Sequence, residues 1–340
     1  LLALQIALPQ LEGTFGFALL YADCPDRIFV ARRSSPMIVA VTGDGHAVGS
    51  DALVVGRNAQ QLVHLADGEY GVVRPNGFEL FRGNRQCIPP NFVKPPPELA
   101  PNDHAGFDSF MLKEIYDQPE AVTNTLRGRL DANNATATFG GLASAAKTLA
   151  QTKRILLVGC GSSLNAALLG EYFIEDLSSV SVDVEIAGEL KSGKSVVGDG
   201  VVAFAVSQSG ETADTLGAVR ELKNKSIPVF GVVNNIASSI ANETDGGVYV
   251  HAGPEVGVAA TKTFSAQAVV FALLALKLGR TRGLNRSVGE RFIEQLRMLP
   301  EFFRRTLSFA EDVDRVAAEL ASSASLLCVG RGIGYPIALE

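Results

Sequence analysis

Cysteine and histidine are scarce, four of each in 340 residues. Cys24, Cys87, Cys160 and Cys328 lie far apart with no CxxC pair, which excludes a disulfide framework or a metal-site spacing and fits a reducing cytoplasm. No metal or other cofactor is expected. Basic runs are missing too. No Lys/Arg block exceeds two residues, and 30 basic against 36 acidic residues give a net charge of −6, so a nucleic-acid or anionic-membrane surface is not expected. No uninterrupted apolar run reaches the ~20 residues of a membrane span. The longest candidate, Phe264 to Leu276, is broken by Ser265 and Gln267. The apolar opening Leu1 to Leu8 lacks a basic flank and a cleavage site, so it is not read as a signal peptide. A chain running from Leu-Leu to Ile-Ala-Leu-Glu reads as a fragment.

What is present is apolar and rich in glycine. Apolar residues make up 47% and charged residues 19%, which excludes disorder as a general description. The length predicts two or three domains. Glycine, at 34 of 340 residues, exceeds the usual ~7% and predicts tight turns and close backbone approaches. From Thr14 to about Phe81, short β-rich runs separated by Asp, Pro, Gly and Ser predict a mostly antiparallel sheet: Phe15–Tyr21, Arg27–Ala31, Met37–Val41, His46–Gly49 and Tyr70–Val73. Six prolines between Ile88 and Asp108 predict a semi-rigid linker that joins neither sheet nor helix.

Beyond the linker the period changes. Helices are predicted over Phe110–Arg129 and Gly140–Gln151. Strands and helices then alternate: Ile155–Val158, Ser163–Leu177, Val182–Ile186, Val201–Val206, Thr212–Lys223, Val229–Val233, Val248–Val250 and Ala259–Leu278. Strands that are apolar throughout imply a parallel sheet covered on both faces. Helical patterns resume over Ser287–Ser322. A strand at Ser325–Val329 running into Gly330-Arg-Gly332 echoes Ile155–Gly161.

Ser207-Gln-Ser-Gly-Glu-Thr212 lies between a buried strand and a helix, where unpaired N–H groups and the positive end of the helix dipole favour an anion. Its hydroxyls suit a phosphomonoester; equally, Thr212 could simply cap the helix. Gly159-Cys-Gly-Ser-Ser163 is a second such turn, and two on one sheet suggest a single polar pocket. Glu255 to Phe264 is a third glycine-bearing entry to a helix. The backbone around Val258–Ala260 could wall the pocket, or Thr261, Lys262 and Thr263 could only start the helix. Gly188 to Ser195 matches the Walker A pattern but is followed by no helix, and Gly159-x-Gly161 lacks the third glycine of a dinucleotide fingerprint. Cys160 reads as a small residue packed at a strand end.

Ser207-Gln-Ser-Gly-Glu-Thr-Ala-Asp-Thr215 resembles the signature of sugar isomerase (SIS) domains. Phe110-Met-Leu-Lys-Glu-Ile-Tyr-Asp-Gln-Pro119, with Gly330-Arg-Gly332 and Tyr335-Pro-Ile-Ala-Leu-Glu340, narrows the resemblance to the isomerising glutamine:fructose-6-phosphate amidotransferases, the glucosamine-6-phosphate synthases. Upstream, Leu11–Ala18, Ala31–Pro36 and Gly49-Ser-Asp51 are similar to the second half of that family's glutaminase domain. The resemblance implies an α/β chain: the C-terminal half of an N-terminal-nucleophile glutaminase sheet over 1–87, a linker over 88–108, a doubly wound parallel-sheet SIS domain over 109–284, and the start of a second SIS domain over 285–340.

It also implies fructose 6-phosphate and glutamine as substrates, glucosamine 6-phosphate as product for UDP-N-acetylglucosamine synthesis, and a homodimer formed through the SIS region. Ser163, Ser207, Gln208, Ser209 and Thr212 would hold the phosphate; Cys160, Gly161, Ser162 and Val258 would line the sugar; Glu340 would transfer a proton. The family's N-terminal cysteine, ring-opening histidine and C-terminal lysine are not in this sequence, so these residues alone are expected to be inactive. Ala260 and Ser109 replace the family's usual Ser and His, and Ser34 a turn Gly. Ala-Ala-Thr-Lys-Thr also resembles SIS-type isomerases and deglycases of other sugar phosphates. A non-catalytic sugar-phosphate sensor is the third alternative.

Overall fold

The computed structural model describes residues 1–33, 35–50, 55, 59–84, 86–95, 105–190, 198, 200–236 and 238–340. Ser34, Asp51, Pro96, Pro97, Pro101 and the 191–195 end of the Walker-like stretch lie outside them. The chain divides into two units, Leu1–Asp103 and His104–Glu340.

After a short Leu2–Ala7 helix, the first unit is built of strands β1 Phe15–Tyr21, β2 Cys24–Arg33, β3 Ile38–Thr42, β4 His46–Gly49, β5 Ala59–His64, β6 Glu69–Arg74, β7 Gly77–Arg82, β8 Gln86–Ile88 and β9 Phe92–Val93. They form two sheets, ordered β1-β2-β6-β7-β8 and β4-β3-β5-β9, with every pairing antiparallel. Val30, Val73 and Leu80 of one sheet meet Val39 and Val63 of the other in a shared core. The proline-rich stretch does join a sheet, contrary to expectation, since Val93 and Phe92 pair with Leu62 and Val63. Between Pro90 and Pro95 both residues keep their N–H groups, which is enough for a two-residue edge strand.

The second unit centres on a five-stranded parallel sheet. A small hairpin, β10 Leu130–Asp131 and β11 Thr136–Ala137, precedes its strands: β12 Arg154–Gly159, β13 Ser181–Ile186, β14 Val201–Ser207, β15 Val229–Val233 and β16 Gly247–Tyr249. Their order is β13-β12-β14-β15-β16. Continuous apolar strands allow both faces to be buried. Ile155, Leu157, Phe204 and Val206 face the Ser162–Ser178 and Lys262–Thr281 helices. Leu156, Val158, Ala203 and Ala205 face the Ala213–Asn224 helix through Leu216, Val219 and Leu222. The Lys262–Thr281 helix is long and apolar enough to cross a membrane, but 83% of that window is buried within the unit, as befits a central core helix. Its outer side is covered by Val122, Leu126, Ile293 and Leu296.

Several elements differ from the sequence expectations. The 110–129 helix is two helices, Phe110–Tyr116 and Gln118–Leu126, because Pro119 supplies no N–H and fits only in the first turn of the second one. Over 140–151 a 3₁₀ turn, Gly140–Leu142, precedes the Ala146–Gln151 helix. The 287–322 pattern becomes Arg286–Leu307 and Ala310–Leu320. Ser325–Val329 is not a strand: no described residue pairs with it, and Leu326, Leu327 and Val329 are exposed. A parallel strand needs a hydrogen-bonded neighbour whatever its propensity. The short Gly334–Leu339 helix follows.

The packing of the Ser162–Ser178 helix against the Lys262–Thr281 helix depends on Gly170. A Cβ there would stand 2.6 Å from Phe271 Cγ. Gly170→Val is expected to lower unfolding stability by about 3 kcal/mol through overpacking, read from the urea midpoint at unchanged m-value.

Candidate functional site

From β12 the chain crosses to one side for β13 and to the other for β14, so the strand order reverses between two adjacent strands. Connections leaving such a switch point diverge and open a crevice at the carboxyl ends of the strands. Both hydroxyl-rich turns lie there.

The first turn follows β12. A Cβ on Gly159 would stand 3.3 Å from Ser163, Leu164 and Val206 backbone atoms, so a side chain there would push the turn and β14 apart by a few tenths of an ångström. Gly161 takes φ +55°. Its carbonyl accepts from the N–H groups of Leu164 and Asn165, and no side chain caps the Ser162–Ser178 helix. Ser162 is half-buried. Ser163 is buried, and its hydroxyl accepts from Gln267 Nε2 at 3.1 Å. Cys160 packs against the core on the Ala213–Asn224 side, with Thr215 Oγ1 4.0 Å from its sulfur, as its reading as a packed residue requires.

The second turn follows β14. Ser207 is buried; its hydroxyl lies 3.0 Å from that of Thr212 and accepts from Gly210 N–H at 3.0 Å. Ser209 Oγ accepts from Glu211 N–H at 3.1 Å. Gln208 is tied at both ends: its carbonyl accepts from Asn234 N–H at 3.1 Å, and its amide donates to Glu255 O at 3.3 Å. Gly210 sits at φ +70°, and any Cβ would overlap the Ser238 hydroxyl. Thr212 occupies the N-cap position, yet its side chain makes no capping bond. The capped-helix alternative therefore fails. With the hydroxyl turned to Ser207, the N-terminal amides of the Ala213–Asn224 helix are left facing the crevice, a place for an oxyanion.

A third segment borders this turn. Glu255 is buried and caps the Lys262–Thr281 helix from a distance, Oε1 accepting from Thr261 N–H at 2.9 Å and Thr263 N–H at 3.2 Å. Glu114, also buried, accepts from Val256 N–H at 2.5 Å and Gly257 N–H at 3.1 Å. Burial pushes the Glu114 carboxyl above its ordinary range, against the pull of those two N–H groups. At the tip of the pinned loop Val258 is fully exposed, so its side chain is not brought into either turn. Burial also disfavours the Asp117 carboxylate, but hydrogen bonds from Lys113 and Lys262 outweigh it and hold Asp117 below its usual range.

Asn165 Nδ2 donates to Glu340 Oε2 at 2.9 Å, placing a carboxylate beside the first turn of the Ser162–Ser178 helix. Glu114, Glu255, Asn165 and Gln267 escape sequence reasoning. Gln267 alone carries a signal, as a polar interruption of an apolar helix. Concavities of about 440 and 460 Å³ near Ser226, Ile227 and Pro228 lie at the amino ends of the strands, where the C-terminal carbonyls of the Ala213–Asn224 helix disfavour an anion. Among the described residues no three His, Cys, Asp or Glu side chains converge as metal ligands. Hydroxyls, amides and helix N–H groups compose the crevice, a set suited to a phosphate.

Residues 148–277 match the SIS domain family. Along 99% of its length the chain is 36% identical to the isomerising glutamine–fructose-6-phosphate aminotransferase of Chlorobaculum tepidum, and 35% identical over the same share to that of Pyrococcus horikoshii. It spans 55% of each, about half the length of these relatives. Among solved structures, the C-terminal domain of glucosamine-fructose-6-phosphate aminotransferase from Francisella tularensis superposes with a TM-score of 0.66 at 34% identity, covering 69% of this chain and 66% of that one.

Gly210→Ala is expected to cost roughly 1–3 kcal/mol in backbone strain alone and to displace Ser238; thermal unfolding measures it, and an unchanged Tm contradicts the turn geometry. For Glu114 the proton is held more tightly in the folded state, so its contribution is greatest below the ordinary value near 4.5 and declines as pH rises through the raised one. The stability advantage of the native chain over Glu114→Gln is therefore expected to shrink with rising pH, as urea titrations at stepped pH would record.

Proposed function

We propose that this chain, related along its whole length to the isomerising glutamine–fructose-6-phosphate aminotransferases, is part of such an enzyme and that its SIS domain holds fructose 6-phosphate by the phosphate. The observation that carries this reading is the meeting of two hydroxyl-rich turns at the switch point between β12 and β14, with an uncapped helix N-terminus behind each. Ser163, Ser209, Thr212 and the Gln208 turn surround the phosphate, while buried Ser207 orders the turn through Thr212 and Gly210. Cys160, Gly161 and Ser162 lie where the sugar would leave the phosphate, and the loop of Val258 borders the second turn through the bond from Gln208 to Glu255.

In the complete enzyme, ammonia released from glutamine condenses with the open-chain ketose, and a proton moves between the first two sugar carbons to give glucosamine 6-phosphate. Glu340, held by Asn165 beside the first turn, is the group placed to carry that proton. Dimerisation through the SIS region belongs to the same reading, and the four free cysteines suit a reducing compartment. Ala260 favours a rival, an SIS-type isomerase or deglycase. The whole-length relation to the aminotransferases, which includes the 1–103 unit, argues for the amidotransferase.

Calorimetry on the 340-residue chain tests the substrate. Fructose 6-phosphate is expected to bind and unphosphorylated fructose not to; Ser209→Ala and Thr212→Ala should each weaken binding about three- to tenfold, the worth of one hydrogen bond. Binding of ATP or NAD in place of hexose 6-phosphates would overturn the reading.

A further inference from the structure

Gln267 lies 104 residues from Ser163 in sequence, inside the most deeply buried helix of the protein, and is itself 1% exposed. An amide in such a place is costly unless its groups are hydrogen-bonded. Its Nε2 donates to Ser163 Oγ at 3.1 Å, on a side chain that is 7% exposed. A serine hydroxyl has one proton to give and two lone pairs to accept with. The Gln267 N–H occupies one lone pair and repels the hydroxyl proton, which must point away from it. Among the described residues that hydroxyl donates to no protein acceptor; its one hydrogen bond is the one it accepts from Gln267. The proton is left to point toward the crevice at the helix N-terminus.

We infer that Gln267 is a positioning residue that fixes the Ser163 hydroxyl as a donor to the phosphate. The inference rests on the fructose 6-phosphate reading given above. Without the amide, Ser163 can turn its lone pairs outward, toward an anion that repels them. With a carboxylate at 267, the hydroxyl would donate inward and lose its proton for the ligand. Gln267 does not touch the ligand; it acts through Ser163 alone.

Binding of fructose 6-phosphate and of inorganic phosphate to the 340-residue chain tests this, with Tm recorded for every variant. Gln267→Met keeps the volume and removes the donor; it is expected to weaken both ligands about three- to tenfold. Ser163→Ala should do the same, and the double variant should bind no more weakly than Ser163→Ala alone. Gln267→Glu, if folded, should bind more weakly than Gln267→Met. A purely structural role would lower Tm and leave the two substitutions additive. Additivity, or unchanged affinity in Gln267→Met, overturns the inference while leaving the phosphate site standing. A native chain that binds neither ligand overturns the site and the inference together.

Discussion

The register between β12 and β14 is the constraint on which the candidate site depends. Arg154 pairs with Val201 and Val158 with Ala205, so the two strands run level and end together, one turn beginning at Gly159 and the other at Ser207. A slip along the strands would separate the turns and exchange the residues packed against the two faces. Two separate cores hold the register: alternate residues of the same strands feed the clusters on opposite faces of the sheet. The position of the hydroxyls is thus a consequence of apolar packing some distance beneath them.

Much of this was legible from the sequence, for identifiable reasons. The parallel sheet announced itself because Ile155–Val158 and Val201–Val206 are apolar on both faces, and each ends in a glycine-bearing turn before a helix. The turns were found because hydroxyls and glycine at a strand–helix junction carry a chemical meaning of their own. Short or polar strands were not legible. β9 hides among prolines, and β5, Ala59–His64, carries two glutamines. Ser325–Val329 has strand propensity without a described neighbour, and propensity alone does not form a ladder. The buried network was illegible for another reason: Glu114 with Val256, and Gln267 with Ser163, are contacts across more than a hundred residues, fixed by tertiary packing and by no local pattern.

The relation to the aminotransferases and the geometry support one another without overlapping. Similarity along the chain speaks to ancestry and order of segments. The geometry speaks to what the crevice can hold, and it also separates residues that resemblance alone groups together. Ser207 is buried and engaged in its own turn, Thr212 faces the helix entrance without capping it, and Val258 stands in solvent. Glu340, the last residue in sequence of those expected, lies beside the Ser162–Ser178 helix, where its carboxylate accepts from Asn165.

Neither turn contains a lysine or arginine. Attraction between an anion and neutral dipoles falls off more steeply with distance than attraction between opposite charges, so such a crevice would hold an anion by close contact and draw nothing from afar. The chain as a whole carries a net charge of −6, which at long range repels a phosphate dianion. Encounter with a phosphate of the kind proposed would then be unassisted diffusion, added salt would speed it slightly by screening the repulsion, and discrimination between ligands would be expressed chiefly in how long each one stays.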